Sequence, residues 1–405
     1  MYKFSQKNKR IIYSIIISGL ILILYKWIHL FFEDKEYFLN IFKDKNLWIS
    51  LYVTSIYFTS LSIGSLVFLG IQNISKSGWS IIIHPIMEKI ASFIPYGTSI
   101  IFTIILLNSL KLNGIYNIFQ WMDPNSSNYN IFIHKKKLIF NIPFFLIRNF
   151  LFLIGYNFFY FRIKNISKKL NFSHSLNEYN KLYSNSILFI IFFSITSVIL
   201  SWDWIMFLNP HWFSTLFGWY FISSFLVTGI GIITIISILF KENGILNLFK
   251  KDHLHDLSKY LFSSSLLWTY FWFSQFLLYW YGNIPEEISY FLKRENIYNN
   301  IHLWLLIPNF LIPFFLLINS KNKTNPKIVL VTSIIILMGH YMDIYNLIVP
   351  ELNGKFQIGI YEIGIFLMLG GFFCYILLLN FNKKELNFYG NPFFKESKNY
   401  KNPNI

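Results

Sequence analysis

The chain has 405 residues, of which 54% are hydrophobic and only 13% charged, with a formal net charge of +16. A soluble domain carries about 25% charged residues, so this composition excludes a water-soluble globule. The basic excess is spread over loops without aromatic interleaving, which excludes a nucleic-acid footprint. One cysteine, Cys374, excludes a disulfide framework, a CxxCH haem attachment and an iron–sulfur ligand set in this chain.

Taken in order, the apolar runs predict an all-α integral membrane protein with about ten spans, near 11–31, 47–71, 81–110, 138–161, 186–206, 210–240, 257–281, 301–318, 328–349 and 358–379. The first is read as retained, because no small-residue cleavage site follows Leu30. Residues 47–206 and 210–349 are expected to form two four-helix bundles, with 11–31 and 358–379 as peripheral helices. With both termini cytoplasmic, twenty-one lysines and arginines fall on inner segments and ten on outer ones. That bias puts both termini on the cytoplasmic side. Lys135, Lys136 and Lys137 are the dissenting outer residues. Trp48, Trp79, Trp121, Trp202, Trp212 and Trp280 gather at span ends as an interfacial belt. Small residues such as Ser60 and Gly64, or Gly229 and Gly231, would let helices approach closely.

The stretch SWDWIMFLNPHWFSTLFGWY, residues 201–220, joins the fifth and sixth spans. Asp203 lies inside a span, where a carboxyl costs a few kcal/mol without a partner or water. Its bland role is to lock the corner through local bonds. Asn209-Pro210 reads as an N-cap followed by the first helical residue, with His211 directly after.

Further ionisable groups share the outer half. His340 and Asp343 lie three residues apart on one helix face and can touch; Glu362 follows the entry of the tenth span, and His302 begins the eighth. Together with Asp203 and His211 they would make a proton path, since histidines and buried carboxyls titrate near neutral pH; the alternative is separate pairs that hold helices together. In the inner half, His84 and Glu88 lie one turn apart and can pair. Arg148 needs a carboxylate inside the membrane, and Glu88 is the candidate, so the two would shape an inner half-channel. His253 and His255 in KDHLHDLSKY lack a third metal ligand and read as a solvated face, with Asp256 and Lys259 as an end-of-helix ion pair. The seventh span is aromatic: Trp268 and Trp272 stack one turn apart with Gln275 nearby, a surface on which a quinone ring could lie, or simply packed core. Of nine histidines, His340 alone is clearly inside a span, so integral haem is not expected.

SWDWIMFLNPHWFSTLFGWYF, DLSKYLF and FSQFLLYWYGNIPEE resemble the signature segments of the ActF subunits of alternative complex III, a quinol:cytochrome c oxidoreductase. These subunits belong to the NrfD/polysulfide-reductase-like membrane family. The resemblance implies two four-helix bundles formed by spans two to five and six to nine. It implies an ActC-like sister subunit, an iron–sulfur subunit and c-type cytochrome subunits as partners, which would hold the haem and iron–sulfur clusters. It assigns function to Asp203, His211 and Gln275, whether through quinone or through a proton path. The rival expectation is a stand-alone secondary transporter, suggested by Pro95-Tyr96-Gly97 in the third span and Pro308 with Pro313 in the eighth. His29 and Asp34 fit an acyltransferase spacing by chance.

Overall fold

The computed structural model describes residues 6–33, 44–110, 116–123, 139–298, 301–353, 358–381 and 388–402. Lys135, Lys136, Lys137 and Asp34 lie outside the described residues. All regular elements among the described residues are helical, as a bilayer demands of backbone that must satisfy its own hydrogen bonds. They are α1 (Gln6–Glu33), α2 (Lys45–Ile74), a 3-10 turn (Gly78–Ile83), α3 (His84–Ile90), a 3-10 turn (Ala91–Phe93), α4 (Ile94–Ser109), a 3-10 turn (Gln120–Met122), α5 (Ile142–Ser173), α6 (Leu176–Trp204), a 3-10 turn (Met206–Leu208) and α7 (Phe217–Glu242). There follow α8 (Lys251–Gly282), α9 (Pro285–Tyr298), α10 (Ile301–Trp304), a π-helical turn (Ile307–Leu311), α11 (Ile312–Leu317), α12 (Ser320–Lys323), α13 (Pro326–Leu352), α14 (Ile360–Phe381) and α15 (Phe394–Asn399).

Eight helices among the described residues are long and apolar enough to cross a membrane, or nine if the bent pair Glu287–Asn296 and Ile301–Leu317 makes one span. The fold is that of a multi-pass helical membrane protein. The ten expected spans are therefore met in part. α8, the expected seventh, is 32 residues long but is not among them. Ser263, Ser264, Ser265, Thr269 and Gln275, with its many tyrosines and tryptophans, make it too polar.

α2 and α7 form the centre. α2 packs on α4, α6, α7, α13 and α14, and α7 packs on α6, α8 and α13. The two central helices nearly touch backbone to backbone: a Cβ on Gly64 would lie 1.9 Å from the Phe225 carbonyl oxygen, and one on Gly229 2.3 Å from the Gly64 carbonyl carbon. Only glycine fits there. The hydroxyls of buried α2 turn back on their own helix, as Thr59 does to the Ser55 carbonyl at 2.7 Å and Ser65 to that of Leu61 at 2.8 Å. α1 packs chiefly on α14 and leaves Ile17, Ile21, Tyr25 and Ile28 exposed, a face suited to lipid.

The Asn-Pro helix start expected at Asn209-Pro210 occurs elsewhere. Asn325 caps α13 by accepting from the Lys327 amide, with Pro326 as first residue. At Asn209 the chain stays irregular until Phe217, because Trp212 is drawn flat onto Tyr290, ring centroids 3.7 Å apart.

The C-terminal segment straps one end of the molecule. Ser397 donates to the Trp79 carbonyl oxygen at 2.8 Å, His253 Nε2 meets the Ser397 carbonyl oxygen at 3.0 Å, and the Asn402 amide donates to Asp252 at 2.9 Å. The Asn402 carboxamide reaches Asp256 and His255, and Tyr400 donates to Asp256. His253 and His255 are therefore buried under this strap, not on the solvated face expected from sequence. Asp256 and Lys259 do pair, at 3.4 Å. Burial lowers His253 from its ordinary value near 6.5 to about 4, against the pull of Asp252 and Asp256 and with the push of Lys250; burial lowers His255 as well. Both rings dock neutral. The stability that neutral His253 lends the strap is then fully present above about pH 6.5 and lost as the pH falls toward 4. Limited proteolysis should cut at residues 388–402 faster at pH 4.5 than at pH 7.5, and equal rates would contradict this.

Candidate functional site

At the end opposite the strap, Asp203 is wholly buried and held on three sides. Arg148 Nε donates to Oδ2 at 2.8 Å and Nη2 to Oδ1 at 2.5 Å, while Asn149 Nδ2 adds a third bond at 3.0 Å. Trp204 Nε1 donates to Asn149 Oδ1 at 2.9 Å, and Tyr52 donates to the Trp204 carbonyl oxygen at 2.9 Å. A bidentate guanidinium neutralises the carboxylate and fixes its plane. This ties α5, α6 and α2 together.

The expected Arg148–Glu88 pair is thus replaced by Arg148–Asp203. The reason is position along α5: Arg148 lies in its second turn, whereas Glu88 bonds Ser167 and neighbours Lys164, which is ~24 Å further along the helix at 1.5 Å per residue. Arg148 and Glu88 therefore do not share a half-channel. His84 does not pair with Glu88 either; its Nε2 meets Ser80 at 3.1 Å.

A second anchor forms where α13 ends. Pro350 sits inside that helix and has no N–H for the Asn346 carbonyl. Arg294 of α9 supplies the donor instead: Nε reaches the Asn346 oxygen at 3.1 Å and Nη2 the Leu347 oxygen at 3.0 Å. Its Nη1 donates to Glu351 at 2.8 Å and to the Tyr290 carbonyl oxygen at 2.7 Å. Glu351 also accepts from Lys293 and from Asn209, each at 3.2 Å, which fastens the 201–220 corner. His211 is exposed there, with its backbone amide on Asn209 Oδ1 at 3.2 Å.

Asp343 is different. It is buried on α13 and takes only neutral donors: Tyr220 at 2.5 Å and Trp268 Nε1 at 3.3 Å. Among the described residues no ion pair reaches it. His340 does not hydrogen-bond it; the imidazole meets Ser224 through Nδ1 at 3.4 Å and lies edge-on to Trp268, centroids 5.3 Å apart. One turn beyond Asp343, Asn346 Nδ2 approaches His302 Nδ1 at 3.3 Å. His340, Asp343 and Asn346 thus line one face of α13, spaced three apart.

Tyr220 also lines a cavity shared with Trp272, Gln275, Tyr290, Arg294 and His302. Four buried polar atoms around it, Trp272 Nε1, Gln275 Oε1, Tyr290 OH and His302 Nε2, have no protein partner among the described residues. The cavity measures about 20 Å³, room for one water and too little for a quinone ring unless side chains move. Trp268 and Trp272 do not stack on each other: Trp272 lies parallel to Phe276, centroids 6.0 Å apart, and packs on His302. Gln275 Nε2 donates to Ser214 at 3.0 Å.

Glu362 caps the start of α14, accepting from the Gly359 amide and from Ser50 of α2, each at 2.8 Å. No hydrogen bond joins it to Asp343 or His340 among the described residues. Sequence reasoning missed Tyr220, Asn346, Arg294 and Glu351. The interior Pro350 and the three-residue spacing from Asp343 were signals for the last three; nothing local marked Tyr220. Among the described residues no group of three His, Cys, Asp or Glu side chains could hold a metal ion. No model of a known protein family matches this chain, and no curated protein matches it either.

Proposed function

We propose that this chain is the membrane subunit of a quinol:cytochrome c oxidoreductase of the alternative complex III kind, serving as scaffold and proton path. Quinol would give its electrons to iron–sulfur and c-haem subunits, beside an ActC-like sister, while its protons leave through this chain to the outer side. The observation that carries the reading is Asp343. A buried carboxyl held by two neutral donors can exchange a proton without breaking an ion pair, whereas Asp203 and Glu351 are each fixed by an arginine. Asp343 accepts from Tyr220, which lines the water-sized cavity rimmed by His302 and Gln275, and His340 precedes it by one turn on the same helix, so both neighbours could carry protons. In this reading Asp203 and His211 hold the corner, and protons pass through His340, Asp343 and Tyr220.

Two four-helix bundles are part of the proposal. Its support is that contacts run α2–α4–α5–α6 and back to α2, and α7–α8–α11–α13 and back to α7. The 3-10 turn before α3 and the π-helical turn before α11 favour the rival, a secondary transporter with broken helices. Purification from native membranes separates the two. Co-migrating iron–sulfur and multihaem chains support the complex, and a chain that runs alone and moves a solute supports the transporter.

A further inference from the structure

We propose that the π-helical turn Ile307–Leu311 builds a second polar site, in which the Asn309 carboxamide and the His340 imidazole hold one water molecule between them. Asn309 and His340 are both fully buried. Asn309 Nδ2 and Oδ1 and His340 Nε2 all lack a protein partner among the described residues. Three such atoms would give a water the two to four partners it needs to stay.

The backbone explains how Asn309 gets there. Pro308 and Pro313 both lack an N–H, so the helix cannot close its ordinary ladder across them. The Ile312 amide reaches back to Ile307 instead, five residues away, which is the π-helical pattern often found at functional sites. Pro313 leaves the Asn309 carbonyl without its helical donor, and Ser265 of α8 supplies one through its hydroxyl. The Asn309 side chain lies against α13. There Gly339 makes room, since a Cβ at this position would lie 2.2 Å from Asn309 Oδ1. His340 is the next residue. Its ring is held edge-on by Trp268, one turn beyond Ser265 on α8. α8 and α13 therefore bracket both side chains, and the proposed water would join them there.

The water site stands on these contacts alone. Its use as the inner end of a relay, passing protons through His340 toward Asp343, rests on the proton-path reading. An electron cryomicroscopy map of the full-length protein in lipid nanodiscs, fine enough to show ordered waters, tests the site without any activity. The expected result is a water peak within about 2.7–3.2 Å of His340 Nε2 and of the Asn309 carboxamide. Asn309→Leu should abolish that peak. Gly339→Ala, which pushes the carboxamide away while keeping it, should abolish it too and serves if Asn309→Leu does not fold. Direct packing of Asn309 on His340 with no peak would overturn the proposal, as would a peak that persists in either variant. Quinol turnover of the Asp343 variant reads the function separately, so a failed water site and a failed proton path are distinguishable.

Discussion

Arg148→Ala should destabilise the protein by about 3–5 kcal/mol, the usual cost of removing one partner of a buried ion pair. The arginine gives Asp203 two of its three bonds, and the side chains are 11% and 1% exposed, so water cannot replace the lost donors. The guanidinium also lies over Phe144, 4.9 Å from the ring centroid, and that packing goes as well. Removing both charges is a milder change. Arg148→Leu combined with Asp203→Leu should recover most of the loss, because no charge is left unpaired. Thermal denaturation of the purified variants in detergent reads this ordering. A double variant as unstable as the single one would show that the ion pair is not the source of the effect.

Arg294→Ala is expected to cost a similar amount, about 3–5 kcal/mol, for a different reason. Its guanidinium makes four bonds, two of them to α13 carbonyls near Pro350. It also lies 3.3 Å from the Tyr290 ring centroid, and the far side of that stack is Trp212. Losing it leaves the Asn346 carbonyl without a donor beside Pro350, leaves Glu351 only Lys293 and Asn209, and loosens the corner at Asn209. Changing Pro350 to Ala in the same chain returns an N–H to the Asn346 carbonyl. The double variant should therefore be more stable than Arg294→Ala alone, measured by the same denaturation. Equal stabilities would mean that Arg294 acts only through Glu351.

The helical membrane fold was legible because apolar runs of span length have few other destinations in sequence space. Boundaries failed where tertiary contacts outweighed local signals. Asn209-Pro210 has the same start signature as Asn325-Pro326, yet only the second opens a helix, since Trp212 stacks on Tyr290 and holds the chain irregular. Partners of buried charges were legible in type and not in identity. Arg148 visibly needed a carboxylate, but which one depended on its depth along α5, and the expected span began four residues before the helix does. His253 and His255 looked solvated because a strap formed by residues 388–402 is far away in sequence. Tyr220 carries no local mark at all; its hydroxyl acquires meaning only when α7 and α13 are packed together.

In the proposed proton path, Asp343 would move protons for quinol oxidation while Asp203 holds structure. The direct measurement is quinol:cytochrome c turnover by the purified native complex carrying Asp343→Asn, at matched content of the other subunits. Asparagine keeps the shape and still accepts from Tyr220, so assembly should be normal, while turnover should fall by about tenfold or more, as losing a proton-transfer group requires. Wild-type turnover in that variant would contradict the account.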